Sequence, residues 1–389
     1  MPTIRENQRA TGGTQGLLAV RRIIDMHERI LLLEPNASPL TTLLRKLDRQ
    51  SVYNPDFKVM KDELMPVATA INYSTGYATD ATVLKVDNDE YFVVGSLALF
   101  PRTDEVVRVV SIQPTTSTIT VVRDYASASN NLALNDNDPI LILSDSNAEG
   151  ATARAGKAVL ETSDTNYTQI VRTPFEITGT LMASDLYGGP DFPYQARKHG
   201  IQHQRGMNLI SWFGQKDIVV SGTTPIRVTG GIDEHIVTNE TDVGGNLTTL
   251  ELVSFIRPIF RYGESSTRAF FMSREVADAI SLIGLSRVEV VPETKSFGIA
   301  LESWFSPHGR LNFMVENMFS EVDYLRERAY ALDLTQYGYR YLQGRDTQLR
   351  TNIQTPGTDG RKDEYLTEFG IQRGQEKSSG RLKGVQLGS

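Results

Sequence analysis

Residues 191–213 read Asp-Phe-Pro-Tyr-Gln-Ala-Arg-Lys-His-Gly-Ile-Gln-His-Gln-Arg-Gly-Met-Asn-Leu-Ile-Ser-Trp-Phe, the longest helical pattern in the chain. Ile201, Leu209, Trp212 and Phe213 offer a face to bury, while Arg197, Lys198, His199, His203 and Arg205 crowd the polar side. At 1.5 Å per residue such a helix would reach roughly 35 Å. Gly200 and Gly206 are its weak points, because glycine in a helix interior costs about 1 kcal/mol relative to alanine. Two shorter helices broken there are the alternative.

On the N-terminal side, Asn166–Thr178 is strand-like and Ala148–Gly156 is small and polar, as suits a linker. Between Tyr77 and Ser146 come short β-rich runs: Thr82–Val86, Tyr91–Val94, Val106–Ile112, Thr118–Arg123 and Ile140–Leu143. Turn-forming clusters separate them, among them Asp87-Asn88-Asp89, Pro114-Thr115-Thr116 and Asn135-Asp136-Asn137-Asp138-Pro139. This predicts a small β-barrel or sandwich inserted into an extended segment. Residues 52–73 read as extended, because Pro55 and Pro66 bar a regular helix. Helices are expected over Gly16–Leu33, ended by Pro35, and over Pro39–Leu47 with Ser38 as N-cap. Residues 1–14 read as an arm.

On the C-terminal side, residues 215–345 read as a mixed α/β domain. Thr248 or Thr249 should cap a helix over Leu250–Tyr262 that Pro258 kinks. Thr267–Met272 reads as a strand, and Ser273 caps a helix Arg274–Ile283 stopped by Gly284. Phe297–Phe305 and Leu311–Val315 should pair around Ser306–Gly309. Strands near Gln348–Gln354 and Asp363–Ile371 flank the loop Thr355–Arg361. From Arg373 onward the Gly/Ser/Lys/Arg-rich tail is expected to be disordered on its own. The fold class is α+β.

The 389 residues are 40 % hydrophobic and 22 % charged, an ordinary globular composition with room for two or three domains. No stretch approaches the roughly 18 apolar residues that span a bilayer. Met1–Gln15 is polar and Gly/Thr-rich, unlike a signal peptide. Cysteine is absent, which excludes disulfides, thiolate metal sites and cysteine nucleophiles. The net charge of −7 is uneven: residues 1–50 carry eight Lys/Arg against five Asp/Glu, and residues 371–389 four against one. The body between these basic ends is acidic, which argues against a sequence-specific reader of nucleic acid.

The chemistry-bearing motifs are thin. Gly12-Gly13-Thr14-Gln15-Gly16 precedes a helical pattern, but no strand leads into it, so it reads as a joint and not a phosphate loop. No Gly-x-Ser-x-Gly elbow occurs. His199 and His203 have i, i+4 spacing without the Glu of the zincin pattern, so an interface or solvated helix face is the plainer reading. The acidic runs at 87–90 and 135–138 lack the glycine and terminal glutamate of a calcium loop and read as strand turns. No catalytic, cofactor-binding or metal residue is assigned.

The order of these parts resembles the Hong Kong 97-type phage capsid fold. Particular segments are similar to a branch whose extended loop carries a β domain. They are Leu31-Leu-Leu-Glu-Pro-Asn36 with Pro39-Leu-Thr-Thr-Leu-Leu44, and Asn166-Tyr-Thr-Gln-Ile-Val171 with Thr173-Pro-Phe-Glu-Ile177. Met207-Asn-Leu-Ile-Ser-Trp-Phe-Gly214, Gly230-Gly-Ile-Asp-Glu-His-Ile236 and Asp363-Glu-Tyr-Leu-Thr-Glu-Phe-Gly-Ile371 fit as well. The resemblance implies an N-terminal arm (1–50), an extended loop (51–76 and 148–178) and an inserted β domain (77–147). It further implies a peripheral domain with the spine helix (179–224 and 341–375), an axial domain (225–340) and a C-terminal tail (376–389).

What the resemblance implies for function is a major capsid protein that assembles with itself, through hexamers and pentamers, into an icosahedral shell around phage DNA. Phe57, Lys58, Lys61, Glu63, Arg197, Lys198, Arg345, Arg350, Arg361 and Lys362 are the candidate contacts between subunits. Packaged double-stranded DNA would be touched non-specifically. Portal, scaffolding or decoration proteins would be the other partners, with no membrane and no cofactor. The region before the extended loop is short for a scaffolding helix. Some relatives crosslink a loop Lys to a neighbour's Asn, for which Lys58 or Lys61 and Asn352 stand in broadly suitable regions. A nanocompartment shell of the same fold, a cytoplasmic α/β enzyme and another virion part are the rivals.

Overall fold

The computed structural model describes residues 39–126, 132–152, 156–184, 190–221, 224–263, 265–284, 288–289 and 302–386. The helix expected over Gly16–Leu33 lies outside them. Two compact units emerge: Met60–Ser163, and the residues on either side of it.

In the larger unit, Asp191–Phe213 is one helix of 23 residues that runs through both glycines. Gly200 is a place of close approach: a Cβ there would sit 3.3 Å from the Tyr365 ring, whose hydroxyl donates to the Ala196 carbonyl at 3.1 Å. The helix lies along a five-stranded sheet ordered Arg49–Val52, Tyr337–Leu342, Gly360–Arg373, Gln169–Thr178, with Gln348–Arg350 also paired to Gly360–Arg373. The last of these ladders is antiparallel, from Gln169 opposite Phe369 to Thr178 opposite Gly360. The helix Pro39–Leu47 contributes Leu40, Leu43 and Leu44 to the core around Trp212.

A seven-stranded sheet follows the order Glu240–Asn246, Gly380–Gln386, Ala329–Leu332, Thr267–Met272, Gly309–Val315, Glu302–Ser306, Val288–Glu289. Its central strands are buried on both faces, so their side chains divide with period two. Phe271, Tyr330 and Leu332 enter the core with Trp212, whereas Phe270, Met272, Ala329 and Ala331 meet the helices Thr249–Ile259 and Arg274–Gly284. Thr248 and Glu251 form a reciprocal capping box at the first of these helices. That helix stops at Ile259 instead of kinking, because Pro258 falls in its last turn. Ser273 caps the second through a hydrogen bond from the Val276 amide at 3.1 Å.

The C-terminal segment corrects the expectation of a tail. Gly380–Gln386 is a strand between Glu240–Asn246 and Ala329–Leu332, with Leu382 and Val385 buried. Its cations are matched locally: Arg381 and Lys383 both pair with Glu240, and Arg381 also with Asp233 at 2.6 Å. Neutralised basic side chains and two buried apolar ones make a strand out of a composition that reads as disordered.

The smaller unit is a six-stranded sheet ordered Ala68–Ala70, Pro139–Asp145, Ser96–Phe100, Glu105–Gln113, Thr118–Val122, Val83–Lys85. Its two edges meet at the bridge Ile71–Val86, where the Asn72 amide donates to the Lys85 carbonyl and the Asp87 amide to the Ala70 carbonyl, each at 3.0 Å. The sheet is therefore a closed barrel, filled by Ile71, Leu84, Phe92, Phe100, Val107, Ile119, Val121 and Ile140 among others. Two expectations need correction. Asp89–Tyr91 is a 3-10 turn where a strand over Tyr91–Val94 was expected, and the strand is Ser96–Phe100 instead. The barrel also starts at Ala68, ahead of Tyr77.

Val67 and Ile142 are hydrogen-bonded neighbours, the Ile142 amide donating to the Val67 carbonyl at 2.8 Å. Deleting residues 68–141 and joining these two through a short Gly-rich turn should leave the larger unit folded, since neither of its cores draws on the deleted residues. Thermal unfolding followed by circular dichroism should show a midpoint within a few degrees of the intact chain. An unfolded product would mean that the barrel is not an independent insertion.

Candidate assembly surfaces

The chain enters the barrel unit along Asp56–Lys61 and leaves along Thr162–Tyr167, and these strands pair. Beyond them, residues 62–67 and 156–161 form no helix or strand, and Leu64 is 94 % and Leu160 82 % exposed. Two long apolar side chains in water on an extended strap are a liability in a lone subunit and a resource in an assembly.

The candidate contact residues fall into two groups. Lys58, Glu63, Arg197 and Lys198 are exposed, Lys61 is half-exposed, and the Phe57 ring packs where a Cβ on Gly370 would come within 2.9 Å of it. The remaining four are engaged inside the subunit. Arg345 meets Glu368 at 2.5 Å, Arg350 meets Glu364 at 3.8 Å and Lys362 meets Glu176 at 3.6 Å. Arg361 pairs with Asp363 at 3.0 Å and lies over the Phe192 ring. Sequence reasoning overlooked the hairpin Asp217–Ser221 with Thr224–Val228. The run Ile218-Val-Val-Ser-Gly222 was its signal, β-branched residues leading into Ser-Gly.

The imidazole pair is not a metal site. His203 is buried, and both ring nitrogens hydrogen-bond threonine hydroxyls at 2.8 Å, Thr173 on one side and Thr367 on the other. His199 stacks on the Phe175 ring with centroids 5.3 Å apart. Ser306 and His308 share the wall of a cavity of about 470 Å³ with Trp304 and Phe305. The Ser306 hydroxyl accepts from the His308 and Gly309 amides and donates to the Gly309 carbonyl, so it closes a turn. Among the described residues no group of three or more His, Asp or Glu is placed to hold a metal ion.

Glu316 is fully buried against the long helix, directly after the strand Gly309–Val315. It accepts from Asn208 Nδ2 at 3.3 Å and Trp212 Nε1 at 3.4 Å, while Asn208 Oδ1 accepts the Thr41 amide at 3.1 Å. Burial pushes its carboxyl up to about 8, against the pull of those two hydrogen bonds. His203 moves the other way, down to about 4, through burial first and then the Arg45 charge.

These shifts set a pH dependence. Folded Glu316 keeps its proton while the unfolded chain ionises near 4.5, so its contribution is complete below that pH and is lost as pH rises towards 8. Folded His203 stays neutral while the unfolded chain protonates near 6.5, so its contribution is present above 6.5 and is lost as pH falls towards 4. The two oppose each other below 6.5. Above it only Glu316 acts, and stability should fall with a slope of up to about 1.4 kcal/mol per pH unit until pH 8. Urea unfolding of the unassembled subunit at pH 6.5 and 8 measures this, and Glu316→Gln should flatten it. An unchanged slope in the variant would assign it to another group.

A family model described as SU10 major capsid protein matches residues 6–386 of the chain. A major capsid protein of Pseudomonas phage PaMx41 is 21 % identical over 293 residues, covering 72 % of this chain and 69 % of that protein. Among solved structures, a chain from the capsid of an empty GTA particle aligns with a TM-score of 0.51 at 9 % identity, over 94 % of this chain and 96 % of its own. A chain from the native GTA particle gives 0.50 at 10 % identity, with the same coverage. These likenesses span both units.

Proposed function

This chain belongs to the SU10 major capsid protein family, and we propose that it builds an icosahedral shell around double-stranded DNA through hexamers and pentamers of itself. The fold is of the Hong Kong 97 type, and the place of action is the virion. One observation carries the finer reading: an extended strap with Leu64 and Leu160 almost wholly in water, a surface that a neighbouring subunit would cover.

In this reading the long helix and five-stranded sheet are the peripheral domain, and the seven-stranded sheet with its helices is the axial domain. The strap is the extended loop, with Phe57, Lys58, Lys61 and Glu63 as contacts to the next subunit. Arg197 and Lys198, exposed on the long helix, are the remaining candidates. Heterologous contacts of modest size close into rings and then into a shell, each weak enough to be corrected during growth. The role is structural, not catalytic. DNA is touched non-specifically, and an acidic body keeps the packaged genome from adhering to the wall. Portal, scaffolding or decoration proteins are the expected hetero-partners.

The test is the content of particles purified from infected cells after nuclease treatment. Protected double-stranded DNA is expected. Particles holding an enzyme and no nucleic acid would instead make the chain a nanocompartment shell.

A further inference from the structure

We propose that the hairpin of Asp217–Ser221 and Thr224–Val228 is a docking element whose partner is a second copy of this chain. Its strands pair antiparallel, with Val219 opposite Ile226 and Val220 opposite Pro225. Neither joins a wider sheet among the described residues. Ile218 is 40 %, Val219 49 %, Val220 68 % and Ile226 55 % exposed. Side chains alternate across a strand, so Val219 and Ile226 share one face and Ile218 and Val220 the other. Each face therefore carries exposed apolar side chains, with Arg227 opposite Ile218 at the root end of the second.

Such a ribbon is at best marginally stable by itself. Residues 218–226 contain no charge; the charged residues of the two strands, Asp217 and Arg227, stand at the root, and only Pro225 blunts the edge further out. Its root is nonetheless firmly placed. The Gly231 amide donates to the Gly214 carbonyl at 2.6 Å, and a Cβ on Gly214 would fall 2.4 Å from the Thr229 carbonyl. The chain leaves and re-enters the core where these glycines pass each other, directly after the long helix. A fixed root under an uncovered apolar ribbon is the geometry of an arm that a partner completes.

The identity of that partner rests on the shell-forming reading, in which every subunit is flanked by copies of itself. The ribbon's own chemistry agrees. With no cation between Ile218 and Ile226 it has nothing to hold phosphates. Lys216, Asp217 and Arg227 around the root mix both signs, which suits a partner without strong net charge.

Amide hydrogen exchange on the full chain, unassembled and assembled, tests this. Exchange across residues 218–226 should slow by roughly tenfold or more on assembly. The double variant Val220→Lys, Ile226→Lys should keep the thermal midpoint of the unassembled subunit and fail to close shells. Equal exchange in the two states, or normal shells from the double variant, would overturn the proposal while leaving the shell reading intact. A native chain that forms neither shells nor rings under any condition would overturn both.

Discussion

Replacing Arg268 by leucine is expected to cost roughly 3–5 kcal/mol, enough to unfold much of the seven-stranded sheet. Arg268 is completely buried and lies 3.3 Å from Asp333, which is also completely buried. Its guanidinium further donates to the carbonyls of Ser378 at 2.9 Å, Ser265 at 2.6 Å and Tyr262 at 2.7 Å. Leucine would strand a buried carboxylate and leave those carbonyls without a donor. Adding Asp333→Asn should recover only part of the loss, because the carbonyls remain orphaned. Guanidinium-chloride unfolding of both variants measures this, and full recovery in the double variant would place the whole cost in the ion pair.

Trp212→Ala is expected to cost about 3–5 kcal/mol, the range for emptying a packed aromatic site. The indole meets Phe271 and Phe319 edge-on, each at 5.1 Å between centroids, and Tyr330 at 5.0 Å. It joins the long helix, the seven-stranded sheet and the 3-10 turn Asn317–Glu321 in one core. Trp212→Phe should cost less, losing the donor to Glu316 and part of the ring but leaving most of the packing. The same denaturant titration reads both. A loss below about 1 kcal/mol for alanine would show that the site collapses around the gap.

The parts of the molecule legible in the sequence are those with a clear period. The long helix was legible in its extent but not in its buried face: the sequence pattern put Ile201 and Leu209 inward and His203 on the polar side, whereas the structure buries His203, Met207, Asn208, Ser211 and Trp212 and leaves Leu209 39 % exposed. Ser96–Phe100 was not legible: Leu-Ala-Leu-Phe has no polar alternation, because Leu97 and Leu99 on the outside of the barrel are half-buried too. Gly380–Gln386 was hidden by cations whose partners, Asp233 and Glu240, lie far away along the chain. Arg345 and Arg350 looked available for a neighbour for the same reason: Gly360–Arg373 carries Glu368 and Glu364, and only the folded register brings these to the two arginines, whereas Arg361 pairs with Asp363 two residues along its own strand. Charge excess read along a chain does not reveal which charges the fold itself consumes.

Negative-stain electron microscopy of the purified, expressed protein, with light scattering alongside, tests the central claim most directly. Closed shells, or rings of five and six subunits, are the predicted result. A uniform monomer or dimer that still forms no shell when phage-infected lysate is added would contradict it.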